Sequence, residues 1–193
     1  RVIAQGISGP LGQPVIVDNR GGNDTIASDK VAKALPDGYT IHLASGSLWT
    51  GPFFQEAPYD PVKDFAPITT TTRAPLILVV NPTLPVGNVK DLIALAKAKP
   101  GVLNYAIGGV GAPSHITTEI FKAVAGVNMV QIIYKGGGAS MTAVISNEVQ
   151  LTFANPPVVA PLLKSGKVKA LGITSPQPSA LFPGMPTVGT SGL

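Results

Sequence analysis

Serine and histidine stand side by side at Ser114 and His115, directly behind a run that holds Gly108, Gly109 and Gly111. Two chemistries suit such a group. One is a nucleophile with its base, and the other is an anion held by a hydroxyl and backbone N–H groups. Adjacent residues on a helix project about 100° apart, so a helical Ser114 and His115 are poorly placed to act on each other. No G-x-S-x-G elbow occurs, and nothing near position 114 supplies an acid to orient the histidine. The anion reading needs less. Proline suits the first helical position, so a helix starting at Pro113 leaves the N–H groups of Ala112, Ser114 and His115 as nearby donors. The helix dipole adds partial positive charge there, and glycines leave the backbone open to a ligand. The same glycines also suit a chain that only has to turn tightly, and on sequence alone both readings stand. A dinucleotide fingerprint does not fit. Ser114 stands where a third glycine or alanine belongs, and the next strand ends in Tyr134 and Lys135 instead of an acid.

Other chemistries are bounded by composition. The 193 residues include no cysteine and two histidines, His42 and His115, far apart in sequence. Disulfides and thiolate sites are excluded, and a zinc site is not expected. His42 reads as a half-buried strand residue. Charged residues make up 12%, and the net charge of +4 comes from scattered lysines without a basic run. That distribution argues against nucleic acid and mildly favours small anionic ligands. With 45% hydrophobic residues the chain can bury a substantial core, as one large domain or two small lobes. No apolar run approaches the roughly 20 residues of a membrane span, and no signal peptide is visible. Arg1 stands inside what reads as a helix, which suggests a processed or truncated product, so the ends do not report the compartment.

The elements that must position the Ser114 turn follow a rhythm. A strand at 103–107 precedes it, and the helix behind it carries Ile116, Ile120, Phe121 and Val124 at core spacing, with Thr117, Thr118, Glu119 and Lys122 outward. Next come a strand at 129–134 with Lys135, Gly136, Gly137 and Gly138, a helix at 139–146, a strand at 149–153 with Asn155, a helix to Lys164, and a strand at 168–174. Earlier in the chain the pattern predicts a helix over 1–8, a strand at 15–17, and a helix over 25–35 opened by Asn23 or Asp24. A strand at 39–44 then empties into Ser45, Gly46 and Ser47. Residues 48–67 lack periodicity. The β-rich pieces 69–72 and 76–80 read as strands crossing between two lobes, and Asn88 caps a helix to about 99. Alternating strands and helices predict an α/β fold with a parallel sheet covered on both faces, whose ligands collect at the strand carboxyl ends.

A family likeness is carried by GQPVIVDNR (12–20), PDGYTIHLAS (36–45), PYDPVKDFAPI (58–68), LNYAIGGVGAPSH (103–115), IIYKGGG (132–138), VQLTFAN (149–155) and FPGMPTVGTSGL (182–193). Over nearly its whole length the chain resembles the Bug or TctC family, the extracytoplasmic solute receptors of tripartite tricarboxylate transporters. The resemblance implies a two-lobed, Venus-flytrap fold like that of type II periplasmic binding proteins, with mostly parallel sheets flanked by helices. It implies a periplasmic monomer that closes on a small carboxylate, held by two strand-to-helix turns and bound waters, and hands it transiently to membrane subunits. No enzymatic activity, cofactor or metal is implied.

The sequence departs from the family pattern at three places. The family's first strand with its proline-glycine-glycine loop should precede Arg1, a returning segment should follow Leu193, and the loop after Arg20 is shortened to GGND. Lobe one is therefore expected to be incomplete at both ends, comprising 1–80 and 175–193. Lobe two is expected at 81–174, with connections near 74–82 and 174–178. The ligand-binding positions carried over are Ser45, Gly46, Ser47, Gly109, Gly111, Ala112, Ser114, His115, Tyr134, Gly136, Gly137 and Asn155. His115 is expected as a neutral hydrogen-bonding support behind the ligand contact. Tyr134 suits the core as well, and Asn155 suits a turn. A serine hydrolase and a truncated, non-binding scaffold stand as the alternatives.

Overall fold

The computed structural model describes residues 1–20, 24–72 and 75–191. Five short strands form one sheet: β1 (Ile77–Val80), β2 (Asn104–Ile107), β3 (Val130–Ile133), β4 (Leu151–Ala154) and β5 (Lys169–Ile173), in the order β3-β2-β4-β1-β5. Strand β2 pairs parallel with β3 and β4, whereas β1 pairs antiparallel with β4 and β5. The helices are α1 (Val2–Leu11), α2 (Asp24–Ala32), α3 (Ser47–Thr50), α4 (Val89–Ala98), α5 (Pro113–Ala125), α6 (Gly137–Ile145) and α7 (Pro156–Lys164).

The sequence of β1, ILVV, is apolar throughout because the strand is covered on both faces. Side chains alternate across a strand, so Leu78 and Val80 join one core layer while Ile77 and Val79 join the other. The first layer is closed by Val89, Leu92, Ile93 and Ala96 of α4 and by Phe121 and Ala125 of α5. The second is closed by Met141, Ala143 and Val144 of α6 and Val159 of α7. Helix α4 is anchored where expected: Asn88 Oδ1 accepts the Asp91 N–H at 2.9 Å, and the Asp91 carboxylate accepts the Gly87 N–H at 2.7 Å. Gly126, left-handed at φ 62°, ends α5.

Several expectations need correction. Residues 77–80, expected in a strand that crosses between lobes, lie as β1 inside the sheet between β4 and β5. Its antiparallel course makes the sheet mixed. Phe182 and Met185 pack on the second core layer, Val188 is buried in the first, and Thr187 bridges to Ile173. Residues 15–17, 39–44 and 69–72 carry no strand, since none finds a ladder partner among the described residues. His42 is accordingly half-buried but off any strand, with Nε2 3.1 Å from the Ser28 hydroxyl. Helix α1 runs through Gly9 and Pro10 to Leu11, and α2 stops at Ala32. Residues 21–23 of the GGND loop, with Asn23, and residues 73 and 74 of the expected crossing lie outside the described residues.

Helix α5 begins at Pro113 as expected but presents a different face. Its buried positions are His115, Thr118, Phe121 and Ala125, while Ile120 and Val124 are 59% and 61% exposed. Two polar residues can occupy the buried face because each is satisfied locally. The Thr118 hydroxyl donates to the Ser114 carbonyl at 2.7 Å, and His115 Nδ1 accepts the Gly111 N–H at 3.1 Å.

Candidate functional site

A cavity of about 370 Å³ opens where β2 and β4 end and α5, α6 and α7 begin. Its walls are Gly108, Ala112, Pro113 and Ser114 from the turn after β2, Gly137, Gly138 and Ser140 from the start of α6, and Thr152, Phe153, Ala154, Asn155 and Val158 from β4 and α7. Leu76 closes the remaining side. Ile77 pairs with Ala154, so the antiparallel β1 brings its beginning to the edge where the parallel strands finish.

Three helix starts meet this cavity, and they differ in what they offer. At α5 the Gly108 N–H donates to the Ser114 hydroxyl oxygen at 3.4 Å, which leaves the Ser114 O–H able to donate outward. The Ser114 and His115 N–H groups have no acceptor among the described residues, as expected of a first helical turn. The Ala112 N–H, expected as a third donor, is taken by the Gly109 carbonyl at 3.2 Å. At α6 the Gly136 N–H is spent on the Gly108 and Tyr134 carbonyls at 3.1 and 3.0 Å, while those of Gly137 and Gly138 meet no acceptor among the described residues. At α7 the chain offers almost nothing. Pro156 and Pro157 have no N–H, and that of Val158 goes to the Asn155 carbonyl at 3.1 Å. Deprived of anything to cap, the Asn155 side chain makes no hydrogen bond among the described residues. Among the described residues, no ionisable side chain lines the cavity. What this lining offers a negative charge is the open ends of α5 and α6.

Of the positions carried over by resemblance, Ala112, Ser114, Gly137 and Asn155 line this cavity. Gly109, Gly111, His115 and Gly136 shape its two glycine turns from behind. The three glycines stand at φ 155°, 75° and 91°, and Gly111 and Gly136 at least occupy the left-handed side that other residues resist. Tyr134 does not line the cavity: it packs partly on the second core layer, and its hydroxyl donates to Glu148 at 2.9 Å. Ser45, Gly46 and Ser47 do not line the cavity, although a Cβ at Gly46 would fall 3.9 Å from Cγ of the wall residue Pro113. Sequence reasoning missed Leu76, Ser140, Thr152, Phe153 and Val158 as wall residues. The Thr152 and Ser140 hydroxyls are spent internally, on the Ala106 and Gly136 carbonyls at 2.8 and 3.2 Å.

A mixed sheet flanked by helices, with its cavity at strand ends and helix starts, is the fold of the periplasmic binding proteins. The model of the tripartite tricarboxylate transporter family receptor matches residues 1–193, and the chain belongs to that family. Protein BugT of Bordetella pertussis is 36% identical over 196 residues, an alignment covering 100% of this chain and 60% of BugT. Among solved structures, R. palustris Rpa4515 with adipate matches at a TM-score of 0.92 and 33% identity, covering 100% of this chain and 65% of that one. MatC (Rpa3494) from Rhodopseudomonas palustris with bound malate matches at 0.87 and 27% identity, covering 100% and 67%. The chain thus spans about three fifths of the length of its curated relative.

Proposed function

We propose that this chain forms part of a periplasmic solute-binding receptor that captures a small carboxylate and delivers it to the membrane subunits of a tripartite tricarboxylate-type transporter. The observation that carries this reading is the convergence of N–H groups at Ser114, His115, Gly137 and Gly138 that meet no acceptor among the described residues, with the Ser114 hydroxyl, on a cavity whose described lining holds no charged side chain. A carboxylate meeting these donors gains charge-assisted hydrogen bonds and two favourable helix-end dipoles. Adipate and malate, carried by the two R. palustris proteins, are both of this class. In the receptor, residues 76–191 form one lobe and residues before 73 contribute to the other. Ser45, Gly46, Ser47 and Asn155 complete the contacts when the lobes close. Leu76, at the start of the first of these lobes, is tied to Thr174: the Thr174 N–H donates to the Leu76 carbonyl at 2.9 Å, and the Leu76 N–H to the Thr174 hydroxyl at 2.8 Å.

The geometry favours this reading over a hydrolase, because His115 Nδ1 is engaged by Gly111 and no hydrogen bond joins His115 to Ser114 among the described residues. A thermal-shift series tests it. Adipate and malate should raise the melting temperature with a concentration dependence that follows mass action, and the corresponding uncharged diols should not. Equal shifts with acid and diol, or none with any small carboxylate, would count against it.

A further inference from the structure

The 108–115 turn that walls the cavity is restrained from its far side by residues that do not line it. The buried His115 ring accepts the Gly111 N–H at Nδ1, 3.1 Å away. The carbonyl of the same Gly111 accepts the Thr50 hydroxyl at 2.6 Å, shorter than the 3.1 Å from that hydroxyl to Gly46 O on its own helix. Both polar groups of one glycine are therefore held, one by each segment. Gly111 has φ 75°, and a Cβ there would lie 3.2 Å from Gly51 Cα and 3.3 Å from Gly51 N, so the two backbones approach as closely as paired glycines permit. Phe54, from the same segment as Thr50, lies against the His115 ring with centroids 4.9 Å apart and planes at 60°.

We infer that His115 and Thr50 are positioning residues that hold the 108–115 turn in its anion-receiving shape from behind. Segment 50–54 thereby sets the affinity of a cavity it does not line. The physical need is plain. Gly109 and Gly111 give the turn more accessible backbone states than any other residue would, and a turn that samples them does not keep the Ser114 hydroxyl and N–H groups aimed at one point. Fixing the Gly111 N–H and carbonyl removes that freedom where it is greatest. An Nδ1 that accepts from Gly111 places the proton of the neutral ring on Nε2, so the arrangement also specifies a tautomer.

The effect on ligand affinity rests on the receptor reading above; the tautomer and the order of the turn do not. Nitrogen-15 NMR on the whole chain should show an unprotonated Nδ1 and a protonated Nε2 at His115. His115→Phe keeps a ring against Phe54 but has no acceptor, His115→Asn offers an amide oxygen near the place of Nδ1, and Thr50→Val removes the hydroxyl at nearly constant shape. His115→Phe and Thr50→Val should each speed Gly111 amide exchange about tenfold and weaken adipate binding by a similar factor, with His115→Asn returning to within about threefold of wild type. An Nδ1-protonated ring in the wild type, or unchanged Gly111 exchange in a folded His115→Phe, would overturn the assignment. Should His115→Phe fail to fold, unchanged exchange in Thr50→Val would do the same. Failure of wild type to bind adipate while the NMR results hold would refute the receptor reading for that ligand and leave the positioning roles standing.

Discussion

Gly108 and Gly136 meet backbone to backbone: the Gly136 N–H donates to the Gly108 carbonyl at 3.1 Å, and a Cβ on Gly108 would lie 3.0 Å from both Gly136 C and Gly137 N. This contact joins the two glycine turns on either side of the cavity. Because the crowded atoms are main chain, no flexible side chain can give way. Gly108→Ala should therefore push the turns apart, cost about 1–3 kcal/mol of stability and weaken adipate binding. Gly189→Ala is the matched control, since a Cβ there meets nothing within 4 Å. Urea midpoints and calorimetry compare the two, and equal behaviour would contradict the steric argument.

Asn81 ties β1 to the far end of α6, away from the cavity. Its buried amide donates to the Val144 and Ile145 carbonyls at 2.8 and 3.2 Å, and its oxygen accepts the Thr83 N–H and hydroxyl at 2.9 and 2.7 Å. Asn81→Ala leaves these groups without their partner and should cost about 3 kcal/mol while sparing ligand affinity in the folded fraction. Chemical denaturation checks the first half and calorimetry the second. A loss well under 1 kcal/mol would mean that water replaces the side chain.

Beneath α5, the Tyr105 hydroxyl donates to the Glu119 carboxylate, which also accepts Lys122 Nζ at 2.8 Å. Burial alone would raise the Glu119 carboxyl, but the hydrogen bonds from Lys122 and Tyr105 outweigh it and hold it below its ordinary value. A depressed carboxyl stabilises the fold above its unfolded value and loses that contribution as pH falls through the folded one. Tyr105 is raised, by burial first and then by Glu119, so its contribution is complete below the ordinary phenol range and is lost as pH rises beyond it. Stability against pH should accordingly show an acid limb that Glu119→Gln flattens and an alkaline limb that Tyr105→Phe flattens. Urea midpoints across pH test both, and an unaltered acid limb in Glu119→Gln would refute the pairing.

Much of the sheet region was legible because its signals are local. Asn88 as a cap, Pro113 as a helix start, and the strands around Tyr105 and Phe153 depend on neighbours within a few positions. What escaped depends on distant partners. Nothing in ILVV reports that β1 runs against its neighbours, and so nothing places Leu76 at the cavity. The face of α5 was misjudged for a related reason: Ile120 and Val124 are the apolar choices by type. Burial goes instead to Thr118 and His115, whose satisfaction by Ser114 and Gly111 exists only once the turn has formed. Residues 15–17 and 39–44 have strand-like composition, but a ladder needs a second backbone, and composition does not supply one.

The central claim is that the open ends of α5 and α6 hold a carboxylate, and an amide NMR titration with adipate, run on wild type and Ser114→Ala, tests it most directly. In wild type the largest saturable shifts should fall on Ser114, His115, Gly137 and Gly138, with no comparable change at α7. Ser114→Ala removes one donor and keeps the backbone ones, so the same amides should respond with affinity weakened by about 1–2 kcal/mol. Saturable shifts centred elsewhere while these four amides stay unmoved, or identical affinity in the two proteins, would contradict the account.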